Sequence, residues 1–546
     1  MVNGNVKQDA GWKMFEHPVA FWLGTAACVA GVALHLPMYY SARSMGYQMA
    51  GMQVGTEMIV GMILIVAGLA AALYGLLPRQ PRAIQEKVRQ IQVRALDDAR
   101  IRLPHIAMLL VVSIAIVIDV MKPAALSFVT PGMAKEYGLK AATNPHGGLP
   151  VALLPLFGIG GTVIGSWLWG WLADRIGRRS AILFAGLLFV TTSICGAMPS
   201  FSWNLAMCFF MGIGAGGMLP ITFALLAETI PARHRGWLMV LIGGGVAGAG
   251  YVLTSWLAGA LTPHYSWRIL WLIGLPTGLL FLALSHWIPE SPRFLIAVGR
   301  QDEATRVMRR FGAEVVTGED PEPSVESARI GRYRELFAKS VAGQSIALII
   351  LAIGVGLVTY GFQLWIPTNL QHLGYTTVNS DYIVRNAALI GLPLTLVCTI
   401  LYGFWSSKKT VIISFLVVAL DLLGFVIEGN SLAHNHVLVT ALLVVPLSGA
   451  TLTAAIVAVY ASEIYPTRIR SGGTGLAAGA TKAGGVLIIA LVVAATTTPS
   501  IPLTAIIGAI PLIVGIAVFA FRGSETRSRP LEDISHGQLE MTADHA

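Results

Sequence analysis

Fourteen stretches of this chain are apolar and long enough to cross a lipid bilayer as helices. A spanning helix needs about 20 mainly apolar residues. Only 12% of the residues are charged, whereas a soluble domain has about 25%. The sequence therefore predicts an all-α integral membrane protein. The predicted spans are 18–39, 52–77, 105–133, 149–173, 180–199, 203–227, 237–262, 268–288, 344–369, 385–404, 410–428, 436–461, 473–497 and 502–521.

The lysine and arginine residues indicate the orientation. They cluster between spans at 78–104, 175–179, 233–235, 408–409 and 468–470, and again in the C-terminal tail. Positive loops stay in the cytoplasm, so we expect both termini there. An even number of spans is consistent with this, because it places both termini on the same side of the membrane. The net charge of +9 is spread over these loops, which argues against nucleic acid as a partner. We expect a monomer in the plasma (cell inner) membrane.

Two longer polar segments interrupt the spans. Residues 78–104 place Ile84, Val88 and Ile91 at helical spacing, which is typical of a helix lying on the membrane surface. Residues 289–343 predict a cytoplasmic loop with an amphipathic helix around QDEATRVMRRF. The predicted parts are two extra spans (1–77), a linker (78–104), two six-helix bundles (105–288 and 344–521) joined by the loop, and a tail (522–546).

A motif recurs in the two halves of the chain. AETIPARHRG (227–236) and ASEIYPTRIRSGG (461–473) share the pattern E-x-x-P-x-x-x-R. The matching residues are all 235 positions apart: Glu228 and Glu463, Pro231 and Pro466, Arg235 and Arg470. An internal repeat of this kind indicates two homologous halves.

The segment GWLADRIGRRS (170–180) resembles the signature loop of the major facilitator superfamily. PESPRFL (289–295) is similar to a motif of the sugar-porter branch, and YGFQLWIPTNL (360–370) to the organic-anion symporters, such as the aromatic acid:proton group. The resemblance implies a major facilitator fold, with two pseudo-symmetric six-helix bundles that alternately expose a central site. The first two spans lie outside this twelve-span core.

The sequence also departs from the family pattern. The second copy of the signature loop is shortened to GFWSSKKT (403–410), which keeps its bases and has no acid. GGGVAGAG (243–250) has no proline, so the antiporter signature is absent, and of the paired glutamines of sugar porters only Gln363 is present. The resemblance is therefore specific for the superfamily and weak for the substrate.

The resemblance also implies a gate at the cytoplasmic ends of the spans, where carboxylates and guanidiniums can pair. The alternative is that the basic residues only orient the loops, but orientation does not need the acids. The predicted gate residues are Gly170, Asp174, Arg175, Gly177, Arg178, Arg179, Glu228, Arg235, Glu290, Arg293, Glu463 and Arg470.

An acid and a base lie deep in the third span, in SIAIVIDVMKPAALSF (113–128). A rise of about 1.5 Å per residue puts Asp119 about 20 Å and Lys122 about 25 Å from residue 105. A charge at the bilayer centre costs about 2.5–3.5 kcal/mol, and a spacing of three places both on one helix face. Either they form a structural ion pair, or Asp119 carries a proton and Lys122 is its partner or binds an anionic substrate.

Further candidates lie in the second half. Lys482, in GLAAGATKAGGVL (475–487), is at mid-depth in the eleventh core span, so a basic residue on each half would bind a carboxylate. Asp421 could pair with Lys482 or line water. Gln363 could donate a hydrogen bond to substrate, and Trp365 could stack on it or simply anchor the helix at the membrane interface.

Several enzyme-like patterns fail on context. GIGAGG (212–217) fits the dinucleotide-binding pattern, but it lies inside a span, where close helix packing explains it better. The chain has no P-loop and no HExxH motif, and its four cysteines lie in apolar segments without a CxxC pair. We expect no enzyme activity, no cofactor and no metal.

These patterns together predict a secondary active transporter that works by alternating access. The favoured activity is proton-coupled symport of a small organic anion, such as a carboxylate or aromatic acid. A proton-coupled sugar or polyol porter is the alternative, and a non-transporting membrane sensor with the same fold is the third hypothesis.

Overall fold

The computed structural model describes residues 17–77, 99–142, 144–313, 333–338, 341–428, 435–465, 467–495 and 500–526. It confirms the predicted helical membrane fold. Within these residues thirteen helices are long and apolar enough to cross a membrane, and a shorter apolar helix covers Ile269–Leu284. Of the predicted polar segments, residues 78–98, 314–332 and 527–546 lie outside the described residues.

The helices follow the predicted order. The extra pair is α1 (Pro18–Ala33), which continues through α2 (Leu36–Ser41), and α3 (Thr56–Leu76). The first bundle contains α4 (Leu103–Glu136), α5 (Leu153–Ile176), α6 (Arg178–Thr191), α7 (Phe201–Thr229), α8 (Ala232–Val240), α9 (Ala247–Tyr265), α10 (Ile269–Leu272) and α11 (Gly274–Leu284). A π-helical turn joins α8 to α9, which form one span.

Two short helices, α12 (Pro292–Ala297) and α13 (Gln301–Arg310), follow the first bundle. The second bundle contains α14 (Ala342–Leu357), α15 (Ile366–His372), α16 (Thr377–Phe404), α17 (Ser407–Glu428), α18 (His436–Ile464), α19 (Thr467–Ala495) and α20 (Ile501–Arg522). The predicted amphipathic helix is α13, whose Met308 packs with Phe311 against the first bundle in a cluster that includes Leu226.

The predicted span 268–288 is shorter and broken in the structure. Its helix is interrupted between Leu272 and Gly274. Pro276 has no backbone N–H, so it cannot donate the helical hydrogen bond to the carbonyl four residues earlier. The break therefore falls at Leu272, and the span is two consecutive helices, α10 and α11.

The predicted span 385–404 begins too late. Helix α16 starts at Thr377, and the side chain of Thr376 caps it by accepting a hydrogen bond from the Asn379 N–H at 3.2 Å. The polar residues of this first part hid it from a search for apolar runs. The earlier start brings Asp381 into the span.

The two extra helices pack closely against each other and attach to the first bundle. Glycines allow the approach: Gly24 lies against the backbone of Gly68, and Gly31 against that of Gly61. The loop after α2 is held by Glu136 at the end of α4, whose carboxylate accepts the Met49 N–H at 2.7 Å. The two extra helices are thus fixed to the first bundle by a loop N–H that donates to the Glu136 carboxylate.

The seventh core span is irregular at mid-depth. After α14 the chain forms a π-helical turn over Val358–Phe362 and a 3-10 turn over Gln363–Trp365 before α15 begins. Pro367 lies at the start of α15 and removes one backbone donor. Interrupted helices at mid-depth are where secondary transporters build substrate sites, and this interruption contains both Gln363 and Trp365.

Candidate substrate site and carboxylate clusters

Asp119 and Lys122 are both buried on α4, each with 3% of its surface exposed. They do not pair: among the described ion pairs none joins Asp119 to Lys122. The Lys122 ammonium instead points to the carbonyl of Trp271 on α10, at 3.5 Å, and lies 5.9 Å from the centre of that ring. Gly274 has no side chain and leaves room for it.

This placement contradicts one alternative for Lys122, the structural ion pair with Asp119, which is absent from the described residues. The Lys122 ammonium lies inside the first bundle. The physical reason is the length of the lysine side chain, which reaches a carbonyl on a neighbouring helix more easily than it folds back one turn along its own.

Asp119 faces a lysine of the other bundle. It interacts electrostatically with Lys482 on α19. The Lys482 ammonium crosses to the first bundle, where it donates to the carbonyls of Thr162 at 3.1 Å and Gly216 at 3.5 Å. An acid of one bundle and a base of the other therefore act on each other electrostatically across the contact between the bundles, without forming an ion pair among the described residues.

The carbonyls that accept from Lys482 lie where α5 and α7 pack most closely. Gly216 lies against the Thr162 carbonyl, and Gly212 against that of Gly158. The Ser166 hydroxyl also donates to the Gly216 carbonyl, at 2.6 Å. The GIGAGG segment is therefore a helix-packing surface, and its close approach places two carbonyls within reach of one ammonium.

The interrupted seventh core span contributes aromatic and amide groups beside this pair. Tyr360 interacts electrostatically with Asp119 and packs on Gly485 of α19. Trp365 is fully buried, and its indole Nε1 has no hydrogen-bond partner in the described structure. Gln363 is also buried. These groups line the same contact between the bundles.

Asp421 lies apart from this site. It is half-buried on α17, and its Oδ2 has no hydrogen-bond partner among the described residues. The charged group that acts on Lys482 is Asp119, so the structure does not bring Asp421 and Lys482 together.

A first carboxylate cluster joins the ends of α5, α6 and α7 to the segment after α11. The Glu290 carboxylate accepts the backbone N–H groups of Arg178 at 2.8 Å and Arg179 at 3.2 Å. Arg178 pairs with Asp174 at 2.7 Å and lies 3.9 Å from Glu228. The Ser291 hydroxyl donates to Glu228 at 2.5 Å, which completes the cluster.

Local geometry explains why Glu290 fits there. Gly177 has a φ of +96°, and a side chain at this position would meet the Glu290 carboxylate. The N–H groups that Glu290 accepts are at the start of α6, where free donors and the helix dipole favour an anion. Burial nevertheless raises the pKa of the Glu290 carboxyl above its usual value, opposed by those N–H donors and by the Arg179 charge.

A second carboxylate cluster repeats this plan in the second bundle. Glu525, after α20, accepts the Ser407 N–H at 2.9 Å and its hydroxyl at 2.6 Å. The Thr526 hydroxyl donates to Glu463 at 2.6 Å, and Tyr402 donates to the same oxygen at 2.7 Å. Ser406 also donates to Glu525.

Glu525 and Thr526 are not among the predicted gate residues, although the spacing of the internal repeat indicates both. They lie 235 positions after Glu290 and Ser291, the same interval that relates Glu228 to Glu463. The contacts are also equivalent, since an acid accepts a helix-terminal N–H and a hydroxyl donates to the acid at the end of the fourth span of its bundle. The repeat therefore extends to the residues after each bundle's last span.

The bundles touch at this end of the molecule. Arg235 acts electrostatically on Glu463 of the other bundle, and Trp237 lies against Gly403 and 6.5 Å from the Phe404 ring. Arg175 stacks on the Trp171 ring at 3.5 Å, and Gly170 is exposed. The side chains of Arg293 and Arg470 lie outside the described residues.

The bundles also touch in a shared hydrophobic core. Phe128 and Tyr251 from the first bundle belong to the same hydrophobic core as Phe362 and Trp365 from the second. Between these contacts Asp119 is buried and Lys482 is half-buried.

Comparison with known proteins agrees with this architecture. Residues 108–489 match the model of the Major Facilitator Superfamily. The chain belongs to this superfamily. It is a membrane transporter with twelve core spans and an extra pair.

Individual relatives cover most of the chain. The niacin transporter NiaP of Acinetobacter baylyi is 28% identical, over 79% of this chain and 96% of its own length. The 4-hydroxybenzoate transporter PcaK of Pseudomonas putida is 30% identical, over 49% of this chain and 59% of its own. A solved structure of the proton:xylose symporter XylE of E. coli aligns with a TM-score of 0.61 at 18% identity, over 79% of this chain and 98% of that one. This last similarity concerns the fold.

Proposed function

We propose that this transporter is a proton-coupled symporter of a small organic anion. The observation that carries the proposal is the charge pair between the bundles, with Asp119 on the first and Lys482 on the second. Any movement of one bundle against the other changes this pair. Alternating access would therefore be coupled to the charge state of both groups.

Asp119 is the proposed proton carrier. Its Oδ1 is buried without a hydrogen-bond partner in the described structure. An ionised carboxylate in such surroundings depends on a nearby positive charge. When Lys482 moves away or is taken by an anion, Asp119 loses that charge and binds a proton.

Lys482 is the proposed anion ligand. Its ammonium has two backbone carbonyls as acceptors, and no described carboxylate lies within ion-pair distance of it. A substrate carboxylate would give it a better partner than either carbonyl. Tyr360 and Trp365 offer rings for an aromatic substrate. The relatives named for niacin and 4-hydroxybenzoate, both aromatic carboxylates, favour this class.

The other candidate residues take supporting roles in the proposal. Gln363 would donate a hydrogen bond to the substrate, and Lys122 would become a second anion ligand only by turning away from Trp271. Asp421, which lies apart from Lys482, would line water.

The two carboxylate clusters and the Arg235–Glu463 contact are the proposed gate. They connect the span ends that the basic loops assign to the cytoplasm, so we place both termini there, in the cell inner membrane. The remaining predicted gate arginines, Arg175, Arg293 and Arg470, stay proposals. Opening toward that side would break the contact between Arg235 and Glu463 while each cluster stays within its own bundle.

A sugar or polyol porter is the second candidate. It is favoured by Gln363 and Tyr251, two buried neutral groups of opposite bundles that face each other. Neutral donors of this kind suit hydroxyl groups as well as carboxylates.

Uptake into liposomes separates these hypotheses. Under an inward proton gradient we expect accumulation of 4-hydroxybenzoate or niacin and none of xylose. Asp119→Asn should abolish driven accumulation yet keep exchange of labelled for unlabelled substrate, whereas Asp421→Asn, a matched acid in another span, should keep both.

Lys482→Gln should weaken carboxylate binding at least about tenfold, the scale of one lost charged hydrogen bond, with Lys135→Gln as the exposed control. Accumulation of xylose with unaffected Lys482→Gln would contradict the anion proposal.

A further inference from the structure

Asp381 is a buried acid that the sequence analysis did not select. It is 1% exposed on α16, four residues after the helix begins. Its Oδ2 has no hydrogen-bond partner in the described part of the chain. A position beyond the first turn is too far along to be held by the free N–H groups of the helix start, so helix capping does not explain it.

Asp381 faces the opposite bundle. The group it acts on is the hydroxyl of Tyr251 on α9. Tyr251 also faces Ser127 of α4 and Gln363 of the seventh core span, and its hydroxyl lacks a hydrogen bond of ordinary geometry among the described residues. Nearby, Gly259 of α9 packs against Tyr382 of α16. The carboxyl therefore lies where the two bundles close on each other.

Nearby charges do not compensate Asp381. Arg385, one turn along the same helix, donates to Asn386 and stacks on the Tyr382 ring at 4.5 Å. No ion pair among the described residues includes the Asp381 carboxyl.

Another titratable group at the end of the molecule that contains Asp381 has its partner elsewhere. His436, at the start of α18, packs edge-on against Tyr375 with ring centres 4.6 Å apart. Tyr251 is thus the titratable group from a neighbouring element that faces Asp381. A buried carboxylate without a cation among the described residues is strongly unfavourable when ionised, so the closed arrangement favours the neutral carboxyl.

We propose that Asp381 is a second proton-carrying carboxyl, held neutral while the bundles enclose it and ionised when they part on this side. The step is a proton transfer from the carboxyl to the water that the opening admits, which leaves a carboxylate and hydronium. Opening on this side thus releases a proton, and closing requires one. The inference deepens the proposed function and rests on it, adding a proton site distinct from Asp119.

The test measures opening directly and needs no substrate. Spin labels at positions 264 and 377, both exposed at the ends of α9 and α16, report the separation of the bundles in the full chain. In the unsubstituted protein the open fraction should rise at least about threefold between pH 5 and pH 8, because ionisation favours the state that hydrates the carboxylate. In Asp381→Asn the labels should stay close, and most of this rise with pH should be lost.

Controls separate this inference from the function of Asp119. Asp381→Glu keeps a carboxyl and should restore the pH dependence, which also excludes a folding defect of the asparagine variant. Asp421→Asn should keep it, and Asp119→Asn should keep the part of the rise that Asp381→Asn removes. If Asp381→Asn titrates like the unsubstituted protein, or if Asp119→Asn alone abolishes the titration, Asp381 is not the second carrier. In that second case the proposed role of Asp119 stands.

Discussion

In the first carboxylate cluster, Glu290 accepts the N–H groups of two arginines, and one of these, Arg178, pairs with further acids. In the second, Glu525 accepts from Ser407, and Glu463 accepts from the Tyr402 and Thr526 hydroxyls. The backbone plan is shared and the side-chain chemistry differs. In the first cluster an arginine side chain pairs with acids, whereas in the second both carboxylates accept from neutral donors.

The difference follows from the shortened loop of the second half. That loop lacks the acid of GWLADRIGRRS and has Ser406 and Ser407 where the first half has its arginines. A buried neutral hydroxyl left without its acceptor costs less than a partly buried guanidinium left without its acids. The two clusters should therefore respond differently to the same kind of damage.

The largest effect is expected from Glu290→Ala. It leaves the N–H groups of Arg178 and Arg179 without their acceptor, so the free energy of unfolding should fall by about 2–4 kcal/mol. Denaturant unfolding in detergent measures this. Glu303→Ala removes a half-buried acid that pairs with Arg300 and should cost under about 1 kcal/mol. Equal losses for both variants would contradict the role given to Glu290.

A smaller effect is expected in the second cluster. A chain that ends at Gly523 lacks Glu525 and Thr526, and it should lose about 1–2 kcal/mol of the free energy of unfolding because two neutral serine hydroxyls lose their acceptor. A chain that ends at Thr526 keeps both and is the matched control. If the two truncated chains unfold at the same denaturant concentration, the second cluster has no stabilising role.

The smallest effect concerns pH. Because burial raises the pKa of the Glu290 carboxyl, the folded state binds its proton more tightly than the unfolded state does. Its contribution to stability is then present at low pH and is lost as the pH rises through the folded pKa. The melting temperature of Glu290→Gln, subtracted at each pH from that of the unsubstituted protein, isolates the contribution of the Glu290 carboxyl. The difference should fall as the pH rises, and a rising difference would refute the sign.

Much of the site could be predicted from local patterns, and its connections could not. Asp119 and Lys482 were selected because charges inside apolar runs are rare. Their electrostatic interaction, between residues on different bundles, depends on how α4 and α19 pack. Asp381 was missed because polar residues at the start of α16 put it outside the predicted span, and Glu525 because the repeat was not followed to the last span.

The sequence by itself determined the membrane class, the spans and the two homologous halves, because these depend on the length, composition and spacing of local segments. Only the tertiary structure decided which charges meet. Lys122 is three residues from Asp119 and turns to Trp271, whereas Lys482 crosses from the other bundle to face it. A long side chain takes the best partner within its reach, and that partner is set by helix packing rather than by distance along the chain.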